Sequence, residues 1–264
     1  MCWVFIVIWC VKVSDAGVWA GALAMLGAIV GSFLAALVVR WTEDRSVMRG
    51  RSACDACGRT LGPAELVPLL SALVQRGRCR GCGALIDPIH WRIEAAAVVI
   101  GGAAGWIAAG PAAIAGAAFG WLLLVLAALD WRAFWLPDRL TGLLAAMGLA
   151  TGLWDRMPPP LTDRLIGGVA GFAMLWAIAT GYRRWRGREG MGGGDPKLFG
   201  AIGLWIGWRM LPAVMLTASL IGLGIVLFRR LTGRAMAADD ALPLGTLLAL
   251  AAYPAWLMMV GWMA

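Results

Sequence analysis

Charge is what this chain has least of. Only 14% of its 264 residues are Asp, Glu, Lys or Arg, and histidine occurs once. A soluble domain of this length does not need so much apolar surface, so an ordinary soluble fold is excluded. The single histidine, His90, sits between Ile89 and Trp91 where a polar loop meets an apolar run. It reads as an interfacial residue rather than a metal ligand. The first residues also lack the marks of a signal peptide. The run from Cys2 to Val11 has no basic segment before it and no A-x-A-like cleavage site after it, and a tryptophan precedes Cys10. Residues 1–13 are left as an extension too short to span, with Cys2 and Cys10 as ordinary apolar residues.

What the chain does have is hydrophobic length. It is 61% hydrophobic, with 16 tryptophans and 36 glycines, and its mean hydropathy is +0.78. A helix needs about 20 apolar residues to cross a bilayer. Eight runs are candidates: 17–39, 93–109, 112–129, 137–154, 161–182, 198–208, 211–228 and 242–263. Gly110-Pro111 and Met157-Pro158-Pro159-Pro160 read as turns between them. The run 198–208 is too short to cross alone, so it is expected to be tilted, broken or joined to its neighbour, and surrounded by protein or a watery cavity. The expected fold is an all-α polytopic membrane protein of about eight transmembrane helices. Tryptophans such as Trp131, Trp135, Trp154, Trp205 and Trp208 crowd the span ends as an aromatic belt.

Basic residues collect in three loops: Arg40 to Arg92, Arg183 to Lys197, and Arg229, Arg230 and Arg234. Alternating spans place all three on one face, which is the cytoplasmic one. That insertion pattern accounts for the formal charge of +8 and leaves no reason to invoke nucleic acid. The expected organisation is an extension and first helix over 1–39, a cytoplasmic loop over 40–92, and a multi-helix core over 93–264.

The loop carries four cysteines, as Cys54-x-x-Cys57 and Cys79-x-x-Cys82, with Gly58 and Gly83 directly after the pairs. Two such knuckles have the layout of a tetrahedral zinc site closed by four thiolates. The alternatives are disulfides, disfavoured where cytoplasmic thiols stay reduced, and redox pairs, which normally occur singly. A closed site offers no open position for water. Its expected role is to staple a loop that has too little core of its own.

Chemistry is then expected from carboxylates at the membrane, where ionisable groups are costly and functional candidates by default. Asp130 ends the third run, Asp138 opens the fourth, and Asp195 follows Gly192-Gly193-Gly194 at the start of the sixth. Two carboxylates brought together share a proton, so one activates water while the other donates to a carbonyl. The glycines are expected to adopt positive φ and let an extended substrate lie close. The blander alternative is that each Asp pairs with Arg132, Arg139 or Lys197 near a helix end.

These landmarks, in this order, resemble the type IV prepilin peptidase family, membrane aspartic proteases of the GxGD class that include archaeal preflagellin peptidases and, more distantly, presenilin. The resemblance runs from about Gly31 to Gly245. It rests on Gly31-Ser-Phe-Leu34, Arg51-Ser52 before the first knuckle, Val67-Pro-Leu-Leu-Ser71, Arg76 to Gly83, Glu94, Asp130 with Leu136-Pro-Asp138, Gly190 to Leu198, and Leu242-Pro-Leu-Gly245. It implies Asp130 and Asp195 as the catalytic pair, with Gly192, Gly194, Lys197, Asp138 and Glu94 as supporting motif residues. Glu94 is expected to pair with Arg92 or another loop arginine. Departures from the family pattern are Ala35 for asparagine, Asp55 for proline, Gly193 for tyrosine and Leu244 for phenylalanine.

The resemblance further implies an enzyme of the bacterial inner membrane, its active site facing the cytoplasm. It would cleave the short basic leader of prepilins and pseudopilins and then N-methylate the new terminus with S-adenosylmethionine. No methyl-donor motif stands in the sequence itself, since Gly-x-Gly-Asp follows a basic loop rather than a strand. Competing classes are a proton- or cation-coupled transporter using the Asp130/Asp195 pair and an inactive zinc-loop assembly factor. The transporter lacks support from any repeat between the two halves.

Overall fold

The computed structural model describes residues 2–47, 52–153, 157–233 and 241–262, with side chains from residue 15 onward. Arg49, Arg51, Trp154 and Arg234 lie outside the described residues, as do the side chains of Cys2 and Cys10.

Every apolar run folds as a helix. In chain order they are α1 (Cys2–Trp41), the short α2 (Leu70–Val74), α3 (Ile89–Ile107), α4 (Gly110–Ala133), α5 (Asp138–Gly152), α6 (Leu161–Arg186), α7 (Gly194–Ile206), α8 (Leu211–Leu231) and α9 (Leu244–Gly261). Among the described residues there is no strand, only two isolated bridges in the 52–85 region. Residues 2–13, set aside as an extension, continue the first helix without a break.

Among the described residues, five segments are long and apolar enough to cross a membrane: Asp15–Trp41, Gly110–Ala133, Leu161–Arg186, Trp208–Leu231 and Leu244–Gly261. The expected eight are not reached by this measure. Helices α5 and α7, of 15 and 13 residues, are too short, and α3 also falls outside.

The chain divides into two compact units, Met1–Val125 and Leu126–Ala264. In the first, α1 packs along α3 through small residues four apart, Gly27 and Gly31 of α1 against Ala97, and Gly101 and Gly105 of α3 against the backbone of Leu23 and Trp19. A Cβ on Gly31 would stand 2.8 Å from the Cα of Glu94. Apolar helices in lipid gain little from burial against each other, so close backbone approach at small residues supplies the contact instead. Trp121 adds a hydrogen bond from its indole N–H to the Ala97 carbonyl at 2.9 Å.

In the second unit the short α7 is the centre. Ten of its thirteen residues are buried, Asp195 among them, against α5, α6 and α9. This explains why a helix too short to span is tolerated, since its end groups face protein rather than lipid. Trp205 donates its indole N–H to the Leu144 carbonyl at 2.7 Å, and Gly148 makes room for its ring. Gly200 meets the Gly168 carbonyl, where a Cβ would come within 3.0 Å.

The buried Arg164 of α6 locks the far end of α7. Its guanidinium donates to the carbonyls of Pro159 at 2.8 Å, Gly148 at 3.0 Å and Leu204 at 3.1 Å. Gly148 and Leu204 lie in the last turns of α5 and α7, where carbonyls lack helical partners and the helix dipole favours a cation. A buried charge satisfied this way costs far less than a bare one. Nothing in the sequence pattern marked Arg164, which reads there as an ordinary residue of a helix start.

Candidate active site and metal centre

Asp130 lies three residues before the end of α4, and α9 begins after Pro243, whose extended backbone opens the helix. The first N–H groups of α9 have no helical acceptor and so seek an anion. Asp130 provides it. Its Oδ2 accepts the Thr246 N–H at 2.7 Å and lies 3.1 Å from the Thr246 hydroxyl. That hydroxyl also lies 3.0 Å from the Ala127 carbonyl. Gly245 packs so closely that a Cβ there would stand 3.0 Å from Oδ2.

Asp195 approaches from α7. Its own N–H donates to the Gly192 carbonyl at 3.2 Å, closing the turn that aims the side chain inward. The two carboxylates are near enough for the charge of Asp130 to act on Asp195, and the Gly245 N–H faces both. Both are buried, at 5% and 6% exposure, and neither pairs with a lysine or arginine among the described residues. The bland alternative of an arginine partner therefore does not describe them. Asp195 Oδ1 is buried and has no hydrogen-bond partner among the described residues. An orphaned buried carboxylate oxygen is costly, and here it sits beside a second carboxylate, where a water or a substrate group would satisfy it.

The glycines act differently from expectation. Positive φ was anticipated for 192–194, yet none of the three is left-handed, and Gly193 has φ −64°. The reason is that α7 starts here, with Gly193 in right-handed helical conformation. What is needed is absence of a side chain. A Cβ on Gly194 would stand 2.7 Å from the Cβ of Leu136, and one on Gly192 would stand 3.3 Å from Asp195 Oδ2. Gly193, where the family often has tyrosine, has nothing within 4 Å. The backbone tension lies instead at Phe134, between α4 and α5, with φ 48°, a left-handed setting uncommon for a bulky side chain.

Lys197 and Asp138 come together, but with each other: Nζ to Oδ1 is 2.7 Å, tying the start of α7 to the start of α5 at the surface. Thr246 was not anticipated. It directly follows the Leu-Pro-Leu-Gly landmark, and its position in the first turn of a helix after proline was the available signal.

In the first unit the four cysteines are gathered, with their sulfur atoms within 4.8 Å of one another and those of Cys54 and Cys82 3.9 Å apart. Tetrahedral zinc with Zn–S of about 2.3 Å requires sulfurs about 3.8 Å apart, so the set fits such an ion. None is joined in a disulfide. The two knuckles fold alike: Gly58 N–H donates to the Cys54 carbonyl at 2.8 Å, and Gly83 N–H to the Cys79 carbonyl at 2.9 Å. Gly58 and Gly83 have φ +69° and +73°, so here glycine is required for its left-handed conformation. The backbone N–H groups of Cys82 and Gly81 point at the Cys79 sulfur and push its thiol down to about 6. Arg59, leaving the first knuckle, bridges to Glu65 at 2.6 Å and also faces Cys79.

Glu94 is in the second turn of α3 and 7% exposed. Its Oε2 accepts the Leu69 N–H at 2.8 Å, a backbone partner in place of the arginine expected. Leu69 has φ 60°, so the carboxylate holds a strained turn of the loop in place.

Comparison with known proteins covers both parts of the chain. A family model described as the type IV leader peptidase family matches residues 117–227, and one described as the bacterial peptidase A24 N-terminal domain matches 25–108. A prepilin leader peptidase/N-methyltransferase of Burkholderia pseudomallei (strain 1026b) is 38% identical over 251 residues, covering 85% of this chain and 81% of the relative. Proteins of the same name from Pectobacterium carotovorum subsp. carotovorum and Klebsiella pneumoniae are 33% and 34% identical, covering 80% and 76% of this chain and 84% and 91% of theirs. No solved structure gives a significant match. Relatives this similar over most of both lengths establish descent: the chain belongs to the type IV leader peptidase family.

Proposed function

We propose that this protein is a multi-pass inner-membrane aspartic endopeptidase that removes the basic leader from prepilins and pseudopilins and then N-methylates the new terminus. The observation that carries the reading is the buried pair: Asp130 held on Oδ2 by Thr246, and Asp195 beside it with Oδ1 unpartnered among the described residues. With one proton between them, one carboxylate takes a proton from water as the other protonates the scissile carbonyl oxygen. The water oxygen bonds to the carbonyl carbon; the carboxyl that took water's proton then gives it to the scissile nitrogen while the other takes back the proton of the carbonyl-derived hydroxyl, so collapse leaves the leader as a carboxylic acid and its partner as an amine. An extended substrate can lie against Gly192–Gly194, where side chains are absent.

The basic ends of the helices, such as Arg183, Arg184 and Arg186 at the close of α6, support a cytoplasmic placement of the site. Residues 40–92 then form a cytoplasmic loop stapled by structural zinc on Cys54, Cys57, Cys79 and Cys82, following a first helix over 1–39. Residues 93–264 form the protease core. S-adenosylmethionine is the methyl donor. Nothing in the comparisons or the geometry supports the transporter reading, and the pair stands at helix termini, not at a midplane break.

The test is cleavage of a purified prepilin in detergent, followed by mass. The wild-type protein should release the leader with a bell-shaped pH dependence, since a pair sharing one proton works only when singly protonated. Asp195→Asn and Asp130→Asn should each abolish release while the protein still accumulates. Intact cleavage by either variant would sink the reading.

A further inference from the structure

How near the segment around α2 stands to the bilayer follows from one hydrogen bond in the first unit. Helix α1 is uncharged from Gly17 to Val39, little more than the about 20 residues that cross the hydrocarbon. Gly31 lies eight residues, or about 12 Å, before that run ends. It is therefore inside the apolar layer even if the few surplus residues all project on this side. α3 runs alongside, and the Cα of Glu94 stands 2.8 Å from where a Cβ on Gly31 would be. The Glu94 carboxylate accepts the Leu69 N–H at 2.8 Å. Side chains lean toward the start of their helix, so Glu94 recovers part of that depth and no more. The Leu69 turn is thus pulled down to the boundary between headgroups and hydrocarbon.

α2, which follows that turn, is inside out. Its small and polar side chains, Ser71 and Ala72, with Gln75 just after it, are half-buried and turn toward a cavity that Ser32 and Glu94 also line. Its large apolar side chains face away: Leu70, Leu73 and Val74 are 56%, 76% and 61% exposed, and Val67 before them 42%. A helix in water would bury this face and expose the polar one. An apolar face turned outward beside a span, at headgroup depth, meets lipid. The charges nearby agree. Arg76 and Arg78 follow α2 and are exposed, which suits anionic headgroups. At the start of α3 the Arg92 guanidinium lies 5.7 Å from the ring centre of the exposed Trp91, a pairing of the kind that anchors helices at the interface.

We propose that the outer face formed by Val67, Leu70, Leu73 and Val74 docks into the bilayer surface, so that this part of the 40–92 segment is an interfacial element rather than a solvated loop. The docking rests on α1 crossing the membrane and not on the peptidase reading. It holds the two cysteine knuckles, which flank α2 in sequence, at the membrane plane instead of free in the aqueous phase.

The test is photocrosslinking of the full-length protein in vesicles of phosphatidylethanolamine and phosphatidylglycerol. A diazirine amino acid replaces Leu73, Phe33 of α1 or Arg80 of the second knuckle, one at a time, and mass spectrometry reads the adducts. Phe33 is 51% exposed on the span and reports lipid, whereas the exposed Arg80 reports water. The probe at 73 should behave like the one at 33, with phospholipid adducts severalfold above those at 80. Leu70→Gln combined with Val74→Gln alters exposed sites, where substitutions leave folding nearly untouched. The pair should cut the lipid yield at 73 severalfold and leave the yield at 33 unchanged. Adducts at 73 to peptides of the same chain, to a second copy or to solvent alone overturn the docking, as does a lipid yield that the two glutamines do not alter. An absence of lipid adducts at 33 as well removes the depth argument, and the proposal falls with it.

Discussion

The two centres of this chain are held in place by opposite means. Around Asp195, ten of the thirteen residues of α7 are buried, and the helix contacts three neighbours. Across 52–92, Cys79 is the one buried residue, and apolar side chains such as Leu70, Leu73 and Leu85 are more than half exposed. One centre has a packed core with helix ends as its donors. The other has turns, bridges and four close cysteines that could bind a metal, and a metal there would do what packing does elsewhere. The carboxylate pair should therefore be sensitive to single atoms and indifferent to chelation, and the cysteine loop the reverse.

The strongest contrast comes from Asp130→Asn and Asp195→Asn. Acid–base groups contribute about 10²–10⁴-fold to rate, so cleavage should fall at least that far in either variant. Metal content and resistance of the loop to protease should be unchanged. A loss of metal in these variants would mean that the two centres are not independent.

Next in effect on cleavage is loss of the metal. Cys79→Ser, or a strong chelator, should remove about one zinc per chain and expose the 52–92 segment to limited proteolysis. A shell closed by four thiolates would leave no place for water, so the rate per folded molecule should fall less than the amount of protein that accumulates. Elemental analysis alongside a specific-activity assay decides it. A specific activity that drops as steeply as in the aspartate variants would place the metal in the chemistry.

How much of this was legible beforehand depends on range. The cysteine knuckles announce themselves because ligands and turn glycines are neighbours in sequence, and the structure gathers all four sulfurs. The helices follow from hydrophobic length, but not the number that span: α5 and α7 are short, and only tertiary packing tells whether a short helix is sheltered. Asp130 and Asp195 stand out as acids at the edge of apolar runs. Thr246 and Arg164 do not, because their meaning lies in carbonyls and carboxylates more than a hundred, or forty, positions away. The glycines before Asp195 show the same limit: sequence does not distinguish a left-handed turn from a close contact, and the structure has close contacts at Gly192 and Gly194 and none at Gly193.

Thr246 permits a finer cut within the packed centre. Its hydroxyl stands between Asp130 Oδ2 and the Ala127 carbonyl, so it can donate to the carboxylate or, when it donates to Ala127 instead, accept from Asp130 in its protonated form. Thr246→Val preserves shape and the backbone N–H but removes that adaptable partner. A single lost hydrogen bond to a charged group is worth about 1.5–3 kcal/mol, so kcat should fall about tenfold or more with KM nearly constant. Thr246→Ser should restore most of it. A rise in KM alone, or no rescue by serine, would assign Thr246 to packing rather than to holding Asp130.

The smallest expected effect is at Lys197, although it lies only two residues from Asp195. Its ion pair with Asp138 is short, at 2.7 Å, but the side chains are 48% and 72% exposed. Exposed pairs contribute about 0–1 kcal/mol and are screened by salt. The start of α7 is already fixed by the Asp195–Gly192 turn and by Leu136 against Gly194. Lys197→Met should thus lower stability by less than about 1 kcal/mol, with a difference from wild type that shrinks as salt is raised. Asp138→Asn should behave alike, and combining the two should add little to either alone, because each removes the same pair. Thermal unfolding in low and high salt, with cleavage rates on the same samples, measures this directly. A large, salt-independent fall in kcat for Lys197→Met alone would show that the lysine acts on the substrate or on the carboxylates, and that the surface pair is not what it contributes.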